Sequence, residues 1–377
     1  MEKIKVMTVF GTRPEAIKMC PLVKKLEKDD RFKSIVCVTA QHRSMLDSVL
    51  DTFKVIPDHD LNLMSENQSI IDLSNKILSG VDLVIKEEKP DIVLVHGDTS
   101  TTLNSALASF YNKVPIGHVE AGLRSNDIYS PFPEEVNRRL TSAITTLHFA
   151  PTESNKENLL KEGVDDKTIF VTGNTVIDAL LDVVEDDFEF SSEILKTVDF
   201  KNDKVILLTT HRRENIGQAM ENIFKAIIRL IEVNADIKVV FPVHKNPKVR
   251  ELANKYFNSL KDRVIMIEPL EYVEFSNLMK KVHLIMTDSG GIQEEAPALN
   301  IPVCVLRTET ERPEAIECGT VKLVGIDENN IFKTVNELLN NELEYDKVKT
   351  LKNPYGDGKA SDRILDILNN YFSKNKN

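Results

Sequence analysis

The chain has 377 residues, 41% hydrophobic and 28% charged, the make-up of a globular protein long enough for two cores. Its 48 basic and 59 acidic residues give a net charge of −11, which excludes general affinity for nucleic acid or an anionic membrane. No apolar run approaches the roughly 18 residues of a membrane span. The apolar start is strand-length and runs straight into charged sequence, unlike a signal peptide. Cys20, Cys37, Cys304 and Cys318 form no CxxC pair. They read as buried free thiols in a reducing compartment, with no zinc site.

Strand-like runs at Ile4–Phe10, Ser34–Thr39, Ile92–His96 and Val114–Val119 alternate with helical stretches in the first part of the chain. Val205–Thr209, Ile237–Phe241, Val264–Ile267, His283–Met286, Val303–Leu306 and Val321–Val324 follow in the second. Their continuous Val/Ile/Leu character predicts parallel sheets covered by helices on both faces. The acidic patch Leu181–Asp203 breaks the rhythm, and the domain change falls shortly before it, near Gly173-Asn174. Ser361–Tyr371 reads as an amphipathic helix after the turn-rich NPYGDGK. The expected fold is α/β: two doubly wound, Rossmann-like domains facing a cleft, with ligands beyond the carboxyl ends of the strands.

The strand-end loops carry the unusual residues. After the first strand, Gly11-Thr12-Arg13-Pro14 opens a helix, with Pro14 suited to its first position and Thr12 or Arg13 in the cap region. Arg13 and Lys18 then oppose the helix dipole, which implies a compensating anion. In His96-Gly97-Asp98-Thr99, Asp98 or Thr99 is a helix cap, and Asp98 is also a candidate cleft carboxylate, a role compatible with capping. Glu120 follows a buried strand and either pairs with Arg124 or faces the cleft. Glu134 and Glu135, after Pro133, suit a helix start on dipole grounds alone. His211-Arg212-Arg213 and His244-Lys245 end later strands. In Thr287-Asp288-Ser289-Gly290-Gly291, capping side chains and a glycine pair precede a short helix containing Glu294 and Glu295. That turn is a phosphate site or an ordinary strand-to-helix connection.

Basic side chains on several strand-end loops of an acidic protein point to a small polyanion, of which a diphosphate is the natural candidate. Asp98, Glu120 and Glu134 would form a carboxylate wall opposite, so the set suits a nucleoside-diphosphate sugar. There is no metal-cage spacing and no nicotinamide fingerprint.

The motifs GTRPEAIKM (11–19), TAQHRSMLD (39–47), HGDTSTT (96–102), HVEAGLRS (118–125), PFPEEVNRRLT (131–141), TGNTVIDAL (172–180), HRREN (211–215), TDSGGIQEEAP (287–297) and ERPEA (311–315) stand in one order along the chain. Together they closely resemble the non-hydrolysing UDP-N-acetylglucosamine 2-epimerases from end to end. The resemblance implies a GT-B fold, with residues 1–173 forming the first domain, completed by a C-terminal helix at 359–377, and residues 174–358 the second. It implies a cytoplasmic homodimer that interconverts UDP-GlcNAc and UDP-ManNAc for cell-surface polysaccharide, without NAD or an essential metal. By motif position, Asp98, Glu120, Glu134 and His211 would be catalytic. Arg13, Lys18, Phe275, Ser289, Gly290, Gly291, Glu295 and Arg312 would hold the nucleotide sugar. Gln41 and His244, with Glu134, would suit binding of a second UDP-GlcNAc as activator. Ser44 and Asn67 stand where that pattern carries a longer glutamine and an arginine. A GT-B glycosyltransferase, a hydrolysing epimerase and a catalytically silent nucleotide-sugar sensor are the competing readings.

Overall fold

The computed structural model describes residues 3–40, 43–65, 68–310 and 312–375, the side chains of Ser44 and Asn375 excepted. The chain forms two compact units, one of Met1–Asp182 with Tyr355–Asn377 and one of Val183–Pro354.

The first unit is built on a seven-stranded sheet in the order β3-β2-β1-β4-β5-β6-β7. The strands are β1 (Ile4–Phe10), β2 (Phe32–Val38), β3 (His59–Asp60), β4 (Ile92–His96), β5 (Ile116–Val119), β6 (Leu147–Ala150) and β7 (Ile169–Val171). All adjacent pairs are parallel. Met7, Val9, Ile35, Cys37, Val93 and Val95 pack from the sheet against Ile77, Val81 and Ile85 of helix Ile70–Glu88. Burial on both faces is why these strands read as unbroken apolar runs. The final helix, Ala360–Asn375, belongs to this unit. Asp178 accepts the backbone amides of Ala360 and Ser361 at 3.2 and 2.8 Å, and Lys25 pairs with Asp362.

The second unit holds a six-stranded parallel sheet in the order β10-β9-β8-β11-β12-β13. Its strands are β8 (Lys204–Thr209), β9 (Ile237–Pro242), β10 (Val264–Ile267), β11 (Leu284–Thr287), β12 (Val303–Val305) and β13 (Val321–Leu323). Phe224 from helix Gln218–Val233 packs on Phe257 with ring centroids 4.7 Å apart, and Phe241 of β9 completes the cluster.

Sequence order reverses between β1 and β4 in the first sheet and between β8 and β11 in the second. Loops leaving neighbouring strands diverge at such a switch point and leave a crevice at the carboxyl ends. Strands β3, β6 and β7 were not among the expected runs. They have two to four residues each, and β3, His59-Asp60, has no apolar side chain to mark it.

Candidate functional site

A buried carboxylate ties the diverging loops together at the switch point of each unit. In the first, Glu15 accepts the amides of Gly11 and Thr12 at 3.0 and 2.8 Å and the Thr99 hydroxyl at 2.6 Å. Thr12 is the N-cap of helix Arg13–Lys28 and receives the Glu15 amide, which closes a capping box. Arg13 is therefore the first helical residue and Pro14 the second, one position later than expected. In the second unit, Asp288, fully buried, accepts from the Thr210 hydroxyl (2.9 Å), the amides of His211 and Arg212 (3.0 and 2.9 Å) and Asn215 Nδ2 (3.0 Å). Both loops are thus tied by several hydrogen bonds to one buried carboxyl group.

Beyond β4 and β5, three carboxylates gather. Thr99, not Asp98, caps helix Ser100–Tyr111, which leaves the Asp98 side chain for Arg138, whose Nε and Nη2 donate to Oδ2 at 3.0 and 2.6 Å. Asn137 donates to the Asp98 carbonyl at 2.8 Å. Both partners sit on helix Glu134–Ile144, so its first turn lies against Asp98. Glu134 opens that helix, and its Oε2 is buried without a hydrogen-bond partner among the described residues. Glu135 does structural work, taking the amides of Ser125 and Asn126 at 3.0 and 3.2 Å and pairing with Arg138 and Arg139.

Glu120 follows β5 with φ +62°, a left-handed conformation that costs a non-glycine residue roughly 1–2 kcal/mol. Its partner is Lys18, not the sequence neighbour Arg124, which turns to Glu162 at 2.7–2.8 Å. Asn174 Nδ2 also donates to Glu120 Oε1 at 3.0 Å, and His96 Nε2 lies 3.5 Å from Oε2. Burial works to raise the Glu120 pKa, but the Lys18 ammonium and the hydrogen bonds from Lys18 and Asn174 outweigh it and hold the carboxyl below the usual range.

In the second unit, His211 is 42% exposed, with Nδ1 3.4 Å from Asp288 Oδ1. Its ring stacks on His244 with centroids 5.4 Å apart. Ser289 precedes helix Gly290–Glu295 without a side-chain capping bond, its own amide donating to Thr287 Oγ1 at 2.9 Å. The Arg312 guanidinium donates to Glu294 at 2.8 Å and lies over Gly290, where an added Cβ would be 3.1 Å from Nη1. Glu295 folds back near Gly291, and Phe275 is half-buried in helix Tyr272–Lys281.

The structure thus pairs Lys18 with Glu120 and sets Asp98 against the helix that Glu134 opens, all in the first unit, with Arg13 at the start of the helix that carries Lys18. In the second unit His211 stands beside His244, and Ser289 and Gly290 beside Arg312. Of the candidate regulatory residues, His244 accepts the Asn246 amide on Nδ1; Gln41 and Asn67 lie outside the described residues. Sequence reasoning assigned no role to Asn174, Arg138, His96 or Asn215, and it saw Asp288 only as a cap. Asn174 and Asn215 stood inside quoted motifs, and Arg138 sits one helical turn from Glu134 on the same face, which was a usable signal. Among the described residues no group of three or more His, Cys, Asp or Glu side chains could hold a metal ion, and no helix is long and apolar enough to cross a membrane.

Two doubly wound parallel sheets, with charged side chains on the loops at each switch point, define a two-domain Rossmann-like α/β protein of the GT-B type. The sequence profile of the UDP-N-acetylglucosamine 2-epimerases matches residues 24–369. The chain is 56% identical to a UDP-N-acetylglucosamine 2-epimerase of Bacillus subtilis over 98% of this chain and 96% of that one. It superimposes on the Neisseria meningitidis UDP-GlcNAc 2-epimerase solved with UDP-GlcNAc at TM-score 0.85, 48% identity, and 97% and 99% coverage of the two chains. An S. aureus structure solved with UDP gives TM-score 0.86 at 52% identity, covering 98% and 97%. The chain belongs to the non-hydrolysing UDP-N-acetylglucosamine 2-epimerase family and is an isomerase.

Proposed function

We propose that this chain inverts C2 of UDP-GlcNAc by eliminating UDP and adding it back, through enzyme-held 2-acetamidoglucal. The C2 hydrogen is not adjacent to a carbonyl, so removing it alone would leave a carbanion with no resonance sink. In the α-linked gluco sugar the C2–H and C1–O bonds are trans-diaxial. A carboxylate takes the C2 proton, the C–H electron pair becomes the C1=C2 bond, and the C1–O pair departs with the diphosphate. Delivery of a proton to the opposite face and return of the phosphate oxygen to C1 give UDP-ManNAc. The two faces call for two proton-handling groups.

What carries this reading is the set of three carboxylates around the ends of β4 and β5, in three different electrostatic settings. Asp98 is compensated by Arg138, Glu120 by Lys18, and Glu134 keeps a buried oxygen without a partner among the described residues. Groups placed in unlike environments can divide acid and base roles. We assign proton abstraction to Asp98, and return and sugar placement to Glu120 and Glu134. His211 and Arg312, with the Ser289 hydroxyl and the Gly290 amide, are assigned to the departing diphosphate, where preorganised donors stabilise developing charge; the Ser289 amide itself donates to Thr287. Arg13, Phe275, Gly291 and Glu295 are assigned to holding the nucleotide sugar, and Lys18 contributes its charge both to the ligand and to Glu120. We also take the chain to act in the cytoplasm as a homodimer supplying ManNAc units to a surface polysaccharide; the buried free thiols Cys20, Cys37 and Cys304 suit a reducing compartment.

The test is proton NMR of the reaction in heavy water. Deuterium should enter C2 of UDP-ManNAc as it forms. Product that retains its original C2 hydrogen would rule out the elimination route.

A further inference from the structure

His96 ends β4 with 3% of its surface exposed, and neither ring nitrogen has a hydrogen-bond partner among the described residues. Such groups are uncommon, because a buried polar atom left unsatisfied costs roughly 1–3 kcal/mol. The imidazole is not turned at random: Nε2 lies 3.5 Å from Glu120 Oε2, on the side of the carboxylate away from Lys18 and Asn174, which both hold Oε1. The turn that carries it is fixed from behind. Thr102 Oγ1 donates to the His96 carbonyl, and His118 Nε2 donates to the Gly97 carbonyl at 2.7 Å.

We infer that His96 is a positioning residue for the epimerisation, a neutral imidazole whose Nε2–H holds the second oxygen of Glu120 while the substrate is bound. The inference rests on the elimination reading above, in which Glu120 handles a proton. At 3.5 Å the contact is longer than a hydrogen bond, and hydrogen bonds of this kind tighten when substrate arrives. As Lys18 turns part of its charge toward an anionic ligand, Glu120 loses compensation at Oε1, and a donor at Oε2 keeps the carboxylate aimed. The donor has to be neutral, since a second full charge would leave Glu120 too weak a base to exchange a proton. Burial supplies that neutrality by pushing the His96 pKa down to about 4, with Glu120 opposing and Lys18 reinforcing the shift. The titratable or charged groups facing the pair are Lys18 on helix Arg13–Lys28 and His118 on β5. His118 is itself neutral, pushed down to about 3 by burial.

The experiment compares His96→Phe, which keeps the ring volume without a donor, with His96→Gln, which returns an N–H near the Nε2 position. Steady-state rates are read across pH, alongside C2 deuterium incorporation. His96→Phe should lower kcat by about thirtyfold, the loss of one hydrogen bond to a charged acceptor, with KM for UDP-GlcNAc changed less than about threefold. Its acidic limb should move up by about one pH unit as Glu120 loses a donor, and His96→Gln should restore most of the rate and the limb. Folded His96→Phe with an unchanged rate and pH profile would overturn the inference, as would a His96→Gln variant as impaired as His96→Phe. Wild-type deuterium incorporation separates the two claims: with it present, such results refute the His96 role alone; with it absent, the elimination reading fails first.

Discussion

Replacing Asp288 by alanine tests whether the switch-point loop of the second unit is held by charge rather than by packing. The carboxylate is fully buried and receives four donor groups: the Thr210 hydroxyl, the His211 and Arg212 amides, and Asn215 Nδ2. A hydrogen bond to a charged group contributes roughly 1.5–3 kcal/mol. The Thr210 hydroxyl can rotate away, and the space vacated by the carboxylate admits a water that recovers part of the loss. The remaining deficit is about 3–5 kcal/mol, in the range for breaking a buried charged network. At roughly 2–4 °C per kcal/mol for a domain of this size, calorimetry should show Tm falling on the order of 10 °C. Turnover should fall with it even well below Tm, because the His211 amide loses its anchor. Asp288→Asn, which keeps one acceptor oxygen, should fall between wild type and alanine. A Tm within about 2 °C of wild type for Asp288→Ala would refute the argument and place the loop's stability in its packing.

Asp98→Asn or Glu120→Gln should abolish turnover, by at least about a hundredfold, while UDP affinity measured by calorimetry stays nearly unchanged; an equal loss of UDP affinity would make these side chains nucleotide or fold determinants. Gly122→Ala should leave the first unit poorly folded, because Gly122 has φ +89° and a Cβ there would sit 2.2 Å from the Asn155 carbonyl oxygen; soluble yield and Tm equal to wild type would contradict it. Acidification should destabilise the chain steeply. His96 and His118 are pushed down by burial to about 4 and about 3, so their contribution is present above their unfolded value near 6.5 and is lost as pH falls toward the folded values. Around pH 5 the unfolded chain binds between one and two more protons at these sites, so stability should fall by roughly 2 kcal/mol per pH unit there. Urea midpoints that stay flat from pH 7 to 5 would argue against neutral burial of both rings.

The sequence by itself determined the repeated strand–helix rhythm and the two parallel sheets. A strand buried on both faces must be apolar along its whole length, so Ile4–Phe10, Ile92–His96 and Val264–Ile267 were legible to the residue. β3, β6 and β7 were not legible: β3 is His59-Asp60, with no apolar side chain at all, and each exists because a neighbouring strand offers it a ladder. The candidate site divides along the same line. Which strand ends bear charge was written in the motifs, but who pairs with whom was not. Glu120 has Arg124 four residues away, yet it meets Lys18, 102 positions distant. Asp98 meets Arg138, and Asp288 reaches back to Thr210 and His211. Those partners are chosen by strand order, which sets β4 between β1 and β5, and β11 beside β8. Local sequence decides where a chain turns; a buried charge takes whichever partner the completed sheet brings within reach.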